Sequence, residues 1–284
     1  MRLVAKTKAI TDTQHGATPH SSERIARAFS KQPALVAYVV CGDPDLETTR
    51  DIILQAISAG AGIIELGVPF SDPVADGPVI QRGSQRSLEN GTSLLDVLRL
   101  AKEIRAQSDA GLIIFSYLNP ILRMGLERFC EMAADAGVDG ALLLDLTVEE
   151  ADEYREVMEK HRLSTVFLAT PTSPDERLKR IAKASTGFVY AVSRTGVTGT
   201  NDKLAADAQQ LVRRIRKYTK LPVAVGFGVS NAAQFAQIGE FADAAVVGSA
   251  IVQTIENNPG RAPQAVAELI GSLTGTNRSA GVGR

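Results

Sequence analysis

Eight short apolar runs, spread along almost the whole chain, most constrain what this sequence can fold into. They are ALVAYVV (34–40), GIIELG (62–67), GLIIFSY (111–117), GALLLD (140–145), STVFLAT (164–170), GFVYAVS (187–193), PVAVGFG (222–228) and AAVVGS (244–249). The runs are mostly unbroken, which is typical of parallel strands covered on both faces. Longer segments of helical period lie between them. Eight strand-helix units in 284 residues predict a (β/α)8 barrel, the TIM barrel of the α/β class.

A doubly wound open sheet is the structural alternative. The first run is followed by CGDPD, which has one Gly and not the G-x-G-x-x-G of a dinucleotide fold. No linker or shift in composition divides the chain. We therefore expect one barrel domain over 23–272, with a short N-terminal helix. Residues 1–22 are expected to be a flexible extension, with a transit peptide as the alternative, and 273–284 a flexible tail.

Composition narrows the class of partner and the compartment. The formal net charge is −1, so no overall basic field indicates binding to nucleic acid or to an anionic membrane. No apolar run approaches the roughly 20 residues that span a bilayer. Two cysteines are too few for a disulfide framework and fit a reducing compartment. We expect a cytoplasmic protein with no nucleic-acid and no membrane partner.

One carboxylate lies within the second apolar run and two more follow it, in ELGVPFSDPVADGPVIQ. Active sites of α/β barrels lie at the carboxyl ends of the strands, so these acids are expected at the barrel mouth. Glu65 has apolar neighbours on both sides, and desolvation would raise its pKa toward the range of a general acid or base. Asp72 precedes a proline and is more typical of a turn. We interpret Glu65 and Asp76 as a catalytic pair, with two structural acids as the alternative.

The last three strand ends are rich in glycine. RTGVTGT, GFGVSN and VVGSAI each open onto a helical segment. Free backbone N–H groups at a helix N-terminus bind phosphate, and glycine allows close approach. Glycine at a strand end often only makes a turn. Three such loops at one end of a barrel favour a phosphate site, and hence a small phosphorylated substrate.

The residue types that are missing from the strand ends limit the classes of reaction that the site could catalyse. The three histidines are His15, His20 and His161, and none lies at a strand end where it would form a metal site. No lysine lies on a predicted strand, which disfavours a Schiff base. We therefore expect acid-base chemistry without metal or cofactor. Aromatic residues near the mouth would suit a flat apolar substrate group, although core packing is the plainer interpretation; they are Tyr38, Phe115, Tyr190 and Phe227.

The motifs resemble the tryptophan synthase alpha chain family. ELGVPFSDPVADGPVIQ looks like the family signature that carries a catalytic Glu and Asp. CGDPD, YLNPI, GALLLDLTVEEADEY, ATPTSPDERL, YAVSRTGVTGT, VGFGVSNAAQ and VVGSAIVQ follow in the family's order. The resemblance runs from about residue 23 to about 270.

This resemblance implies a carbon–carbon lyase that splits indole-3-glycerol phosphate into indole and glyceraldehyde 3-phosphate by a retro-aldol reaction. Glu65 would protonate the indole carbon and help to deprotonate the glycerol hydroxyl. Asp76 would accept the indole N–H and stabilise the cationic intermediate. The implied partner is a tryptophan synthase beta chain, in an α2β2 heterotetramer, and Asp72 and Asp145 match positions linked to communication with it.

The resemblance also implies the substrate-binding residues. Those of the phosphate site are Gly199, Phe227, Gly228, Gly248 and Ser249. Those of the indole pocket are Tyr38, Phe115, Leu142, Tyr190 and Phe227, while Thr198 matches a mobile loop residue that closes on the aspartate. Tyr38 and Phe115 stand where some relatives carry Phe and Leu, so the pocket shape differs.

Three other functions stay open at this point. A stand-alone indole-3-glycerol phosphate lyase would have the same catalytic residues. A catalytically silent activator of a beta chain would not need Glu65 and Asp76. A sugar-phosphate isomerase or epimerase would share the late glycine-rich loops but would not need PFSDPVADGP.

Overall fold

The computed structural model describes residues 21–31, 33–192, 201–226 and 228–276. Its eight strands pair in chain order, and all pairs are parallel. The last strand pairs with the first, which closes the sheet. The strands are β1 (Ala34–Val40), β2 (Ala61–Gly67), β3 (Gly111–Ser116), β4 (Gly140–Leu143), β5 (Ser164–Ala169), β6 (Val189–Val192), β7 (Val223–Gly226) and β8 (Ala244–Val247). The predicted (β/α)8 barrel is confirmed, and the open sheet is excluded.

Helices connect the strands and surround the barrel. Within the described residues they are α1 (Ser21–Ala28), α2 (Leu46–Ser58), α3 (Pro78–Glu89), α4 (Leu94–Arg105), α5 (Leu118–Met124), α6 (Leu126–Asp135), α7 (Asp152–Lys160), α8 (Asp175–Ala184), α9 (Asn201–Ile215), α10 (Ala232–Gly239), α11 (Ser249–Asn257) and α12 (Ala262–Thr274). Local sequence fixes where several begin. The Asp45 carboxylate accepts from Thr48 N at 2.7 Å to cap α2, and Ser93 with Asp96 forms a capping box on α4.

Side chains of each strand alternate between two apolar cores. On β2, Ile64 and Leu66 pack outward against the helices, while Ile63 belongs to the cluster inside the barrel. A period of two therefore also turns Glu65 inward, one layer above Ile63. The inner cluster fills the lower barrel and leaves the functional layer at the carboxyl ends of the strands.

Helix α1 closes the opposite end of the barrel. Its Ile25 and Phe29 join the inner cluster, where the rings of Phe29 and Phe188 are 5.6 Å apart. The buried carboxylate of Asp139 holds α1 in place, because Arg24 Nε of this helix donates to its Oδ1 at 2.7 Å. The other oxygen of Asp139 accepts from Arg105 Nη2 of α4 at 2.8 Å. The short N-terminal helix expected from sequence is thus present as the floor of the barrel.

No helix in the described ranges is both long enough and apolar enough to cross a membrane. The division into 1–22, 23–272 and 273–284 stays a prediction, because most of both expected tails lies outside the described residues.

Candidate active site

Glu65 is a completely buried carboxyl group inside the barrel mouth. It lies on β2, is 0 % exposed, and stands in register with Tyr38 of β1. Neither of its carboxylate oxygens has a hydrogen-bond partner among the described residues. Burial raises the pKa of Glu65 from its ordinary value of 4.5 to about 8. A carboxyl group of this kind is protonated at neutral pH and can give its proton to a substrate.

Asp76 lies in the loop that joins β2 to α3. The Tyr117 hydroxyl donates to its Oδ2 at 3.1 Å and accepts from Ala75 N at 3.0 Å. Partial burial is the main cause that raises the pKa of Asp76 from 3.8 to about 6, and the hydrogen bond from Tyr117 opposes that rise. At neutral pH Asp76 is therefore mostly ionised while Glu65 is mostly protonated. Two carboxyl groups held in opposite protonation states can serve as acid and as anionic acceptor.

The two acids lie within electrostatic reach of the same phenol. Burial is the largest cause that raises the pKa of Tyr38 well above its usual value, and the negative charges of Asp76 and Glu65 add to it. The pKa of Tyr190 is raised in the same way, first by burial and then by Glu65. The fold thus gathers Glu65, Asp76 and both phenols at one end of the barrel.

Aromatic and apolar side chains form the walls around Glu65. The rings of Tyr38 and Phe115 meet edge to face with centroids 4.9 Å apart, and Phe115 stands in register with the buried Leu142. Glycine makes room for the phenol, since a Cβ at Gly67 would lie 2.6 Å from the Tyr38 hydroxyl. These walls suit a flat apolar group lying over a carboxyl.

Glycine makes room for Tyr190 on the other side of the barrel. A Cβ at Gly226 would lie 2.7 Å from the Tyr190 hydroxyl. The structure therefore brings together the four expected wall residues that it describes, which are Tyr38, Phe115, Leu142 and Tyr190.

The end of β8 presents an uncapped helix N-terminus. Helix α11 begins at the exposed Ser249, directly after Gly248, and no side chain of the described residues caps it. Gly228, after β7, is exposed, has a φ of +82°, and has no described atom within 4 Å of the position where a Cβ would stand. Unpaired N–H groups at such a helix start can bind phosphate. Gly199 and Phe227 were expected at this site as well, and Thr198 was expected to close on Asp76; all three lie outside the described residues.

Tyr117 is the site residue that sequence reasoning missed. The sequence places it at the end of the third apolar run, which is a signal for the barrel mouth, but its partner Asp76 is 41 residues away. The Tyr117 ring also stacks on Phe70, with centroids 4.9 Å apart. Tyr117 therefore links the end of β3 to the loop after β2, which carries a carboxylate of the site.

Asp72 and Asp145 lie exposed on the rim, outside the pocket. Ser71 Oγ donates to Asp72 Oδ2 at 2.6 Å, and Leu118 N donates to Asp145 Oδ1 at 2.7 Å. Each carboxylate therefore stabilises a loop next to the mouth. No group of three or more potential metal ligands occurs in the part of the chain that is described.

Comparison with known proteins gives one consistent family. The family model described as tryptophan synthase alpha chain matches residues 26–280. The tryptophan synthase alpha chain of Solibacter usitatus is 50 % identical over 240 residues, which are 83 % of this chain and 90 % of that protein. That of Geotalea daltonii is 47 % identical over 234 residues, or 82 % and 89 % of the two chains.

Solved structures agree with the sequence relatives. A chain from the tryptophan synthase a2b2 complex of Pyrococcus furiosus superposes with a TM-score of 0.82 at 41 % identity, covering 86 % of this chain and 99 % of that one. A chain of Mycobacterium tuberculosis tryptophan synthase has a TM-score of 0.82 at 35 % identity, covering 89 % and 97 %.

Proposed function

Because this chain belongs to the tryptophan synthase alpha chain family, we propose that it cleaves indole-3-glycerol phosphate to indole and glyceraldehyde 3-phosphate. The single observation that carries this proposal is Glu65, a buried carboxyl with no hydrogen-bond partner in the described structure and a pKa raised to about 8. A buried polar group without a partner is costly, and a proton-transfer role explains why it is kept.

Glu65 acts first as an acid and then as a base. Its proton passes to the indole carbon that carries the glycerol side chain, which leaves a cationic ring and a Glu65 carboxylate. The carboxylate then takes the proton of the adjacent glycerol hydroxyl. The carbon–carbon bond breaks as the aldehyde forms, and its electron pair returns to the ring. Protons balance within the step, so no water is consumed.

Asp76 stabilises the charge that develops on the ring. Its carboxylate accepts the indole N–H while the ring is cationic, and an ionised acceptor in a partly dry site is stronger than one in water. The hydrogen bond from Tyr117 Oη at 3.1 Å holds Asp76 Oδ2 and leaves its other oxygen for the substrate. This division of work requires Asp76 to be ionised, which a pKa of about 6 allows at neutral pH.

The rest of the site would hold the two ends of the substrate. The apolar walls at Tyr38, Phe115, Leu142 and Tyr190 would hold the indole. Gly228, Gly248 and Ser249 would bind the phosphate through backbone N–H groups, together with Gly199 and Phe227, and Thr198 would close on Asp76.

A tryptophan synthase beta chain is the proposed partner, in an α2β2 assembly. The similar Pyrococcus furiosus structure comes from such a complex. The loop after β2 offers an apolar contact, since Val74 is 87 % exposed, and Leu122 on the neighbouring α5 is 58 % exposed. Two free, buried cysteines support the cytoplasm as the compartment.

The experiment is to measure indole release from indole-3-glycerol phosphate by the purified chain, alone and with a tryptophan synthase beta chain. Slow release that rises tenfold or more with the beta chain is the expected result. Fast release that ignores the beta chain would indicate a stand-alone lyase. No release under either condition would overturn the proposal and favour a silent activator.

A further inference from the structure

Helix α3 is fixed against the turn that follows β1 by a row of polar contacts. Arg86 donates two hydrogen bonds to the Asp43 carboxylate, from Nε to Oδ1 at 2.7 Å and from Nη2 to Oδ2 at 2.9 Å. One residue on, Ser87 Oγ donates to the Cys41 carbonyl at 2.6 Å, and Asn90 Nδ2 donates to the Pro44 carbonyl. Asp43 is 0 % exposed, and the Arg86 fork offsets the cost of burying its carboxylate.

The same guanidinium reaches a second carboxylate, on α11. Arg86 Nη1 donates to Glu256 Oε1 at 2.9 Å. Arg82, one turn earlier on α3, donates to both Glu256 oxygens, from Nε at 2.8 Å and from Nη2 at 2.7 Å. The hydrogen bonds from Arg82 are the largest cause that lowers the pKa of Glu256 to about 2. Two carboxylates and two guanidiniums thus alternate across three elements.

At Gly83, helix α3 packs closely against both Asp43 and α11. A Cβ on Gly83 would lie 2.9 Å from Asp43 Oδ2 and 3.0 Å from Val252 Cγ1 of α11. Helix α3 therefore touches both of its partners through its own backbone, and the ion pairs hold it at that contact.

Each of the two joined helices begins at a part of the proposed active site. Helix α3 begins two residues after Asp76, and Gln81 Nε2 of its first turns donates to the Asp76 carbonyl at 2.9 Å. Helix α11 begins at Ser249, where the phosphate is proposed to bind. The spacing between these two helices therefore sets the spacing between Asp76 and the phosphate site.

We propose that Arg86 is a positioning residue, which bridges Asp43 to Glu256 and thereby fixes Asp76 relative to the phosphate-binding end of α11. This inference rests on the proposed function, since it assigns the two ends of the bridge to one substrate. Arg86 does not touch the substrate; it acts through α3. A substrate held at its phosphate would otherwise present its indole to Asp76 at the wrong distance, and displacements of about 1 Å can cost on the order of 100-fold in rate.

Three single variants and one double variant test the two halves of the bridge. Glu256→Gln removes the negative charge from the link to α11 and leaves the Asp43–Arg86 pair intact. Arg86→Gln breaks both links, and Arg86→Lys keeps the charge but loses the fork. Arg86→Gln leaves the buried Asp43 carboxylate without its cationic partner. The double variant Asp43→Asn/Arg86→Gln therefore removes both charges of the pair.

Arg216→Gln is the matched control. Arg216 Nη2 contacts both oxygens of Asp243 at 3.1 Å, but this pair lies just before β8, at the opposite end of the barrel. Arg216→Gln removes another arginine–aspartate pair without touching α3 or α11.

The variants are assayed as full chains with beta chain added, for kcat, KM and inhibition by inorganic phosphate. We expect Glu256→Gln and Arg86→Gln to lower kcat/KM by about tenfold or more, with most of the loss in kcat. Arg86→Lys should recover part of it, and Arg216→Gln should match the wild type. Phosphate inhibition should change by less than about threefold, because each half of the site stays intact and only their spacing changes.

Hydrogen exchange supplies a readout that does not depend on turnover. Exchange of the backbone amide hydrogens over 72–82 should accelerate in the variants at Arg86, which lies on α3. It should stay unchanged in Arg216→Gln. Wild-type kcat in folded Glu256→Gln and Arg86→Gln chains would overturn the inference while the proposed function stands. If the wild type releases no indole, the proposed function fails. Unchanged hydrogen exchange over 72–82 in the variants would overturn the positioning role separately.

Discussion

The Tyr117 hydroxyl donates a hydrogen bond of 3.1 Å to the Asp76 carboxylate, although 41 residues separate the two in the chain. This bond joins the end of β3 to the loop after β2. Since Tyr117 also accepts from Ala75 N at 3.0 Å, the phenol fixes both the backbone and the side chain at Asp76. It therefore controls where the loop carboxylate lies and how readily it ionises.

Tyr117→Phe should raise the pKa of Asp76 above about 6, because it removes the hydrogen bond that opposes the effect of burial. The acid limb of the pH profile of kcat should move to higher pH, and kcat at pH 7 should fall by several-fold. Phe70→Leu is the control, because it removes the ring stacked on Tyr117 and keeps the hydroxyl. An unchanged acid limb in Tyr117→Phe would show that Asp76 does not set it.

Asp76→Asn should lower kcat by roughly 100-fold, because a neutral amide cannot stabilise a cationic ring as a carboxylate does. Inhibition by inorganic phosphate should stay close to that of the wild type, since Gly228, Gly248 and Ser249 are untouched. Equal losses in phosphate binding and in turnover would make Asp76 a binding residue instead.

Gly228→Val should weaken phosphate binding, because the added side chain would occupy space at its Cβ position that no described atom fills. Gly260→Val is a matched control. Gly260 has a φ of +83°, against +82° for Gly228, and also has open space at the Cβ position. Both variants carry similar backbone strain, so a loss of phosphate inhibition confined to Gly228→Val identifies the site. Unchanged phosphate inhibition in Gly228→Val would move the phosphate elsewhere.

Glu65→Gln should stabilise the fold at alkaline pH. The folded pKa of Glu65 is raised to about 8, so the native state holds a proton that the unfolded state has lost above its ordinary pKa of 4.5. Stability falls as pH rises between these values, and the full cost is on the order of 5 kcal/mol. Denaturant unfolding should show little difference between Glu65→Gln and wild type at pH 4 and a clear gain for the variant at pH 9. A constant difference across pH would contradict burial of an ionisable Glu65.

The sequence predicted the strands well because buried parallel strands are continuous apolar runs. The expected β1 matches at both ends, and within the described residues four later runs extend one or two residues past the observed ends of β3, β4, β5 and β8. At β4 the extra residues are Leu144 and Asp145, and at β8 they are Gly248 and Ser249, because composition alone does not show where a strand stops pairing with its neighbours. Glu65 was found because one acid interrupts such a run.

Contacts between distant segments could not be predicted. The Tyr117–Asp76 bond depends on how the loop after β2 folds back over β3. The Asp43–Arg86–Glu256 bridge joins segments that are 43 and 170 residues apart. In each case the sequence shows the polar residue but not the tertiary register that selects its partner.

The most direct test of the central claim is the pH dependence of kcat/KM for indole release, measured with the beta chain present. If Glu65 gives its proton to the indole ring, kcat/KM should fall as pH rises through about 8, and Glu65→Gln should retain no more than a few per cent of wild-type activity at any pH. A wild-type kcat/KM that keeps rising from pH 7 to pH 9, or a Glu65→Gln chain that keeps substantial activity, would contradict the assignment of Glu65 as the acid.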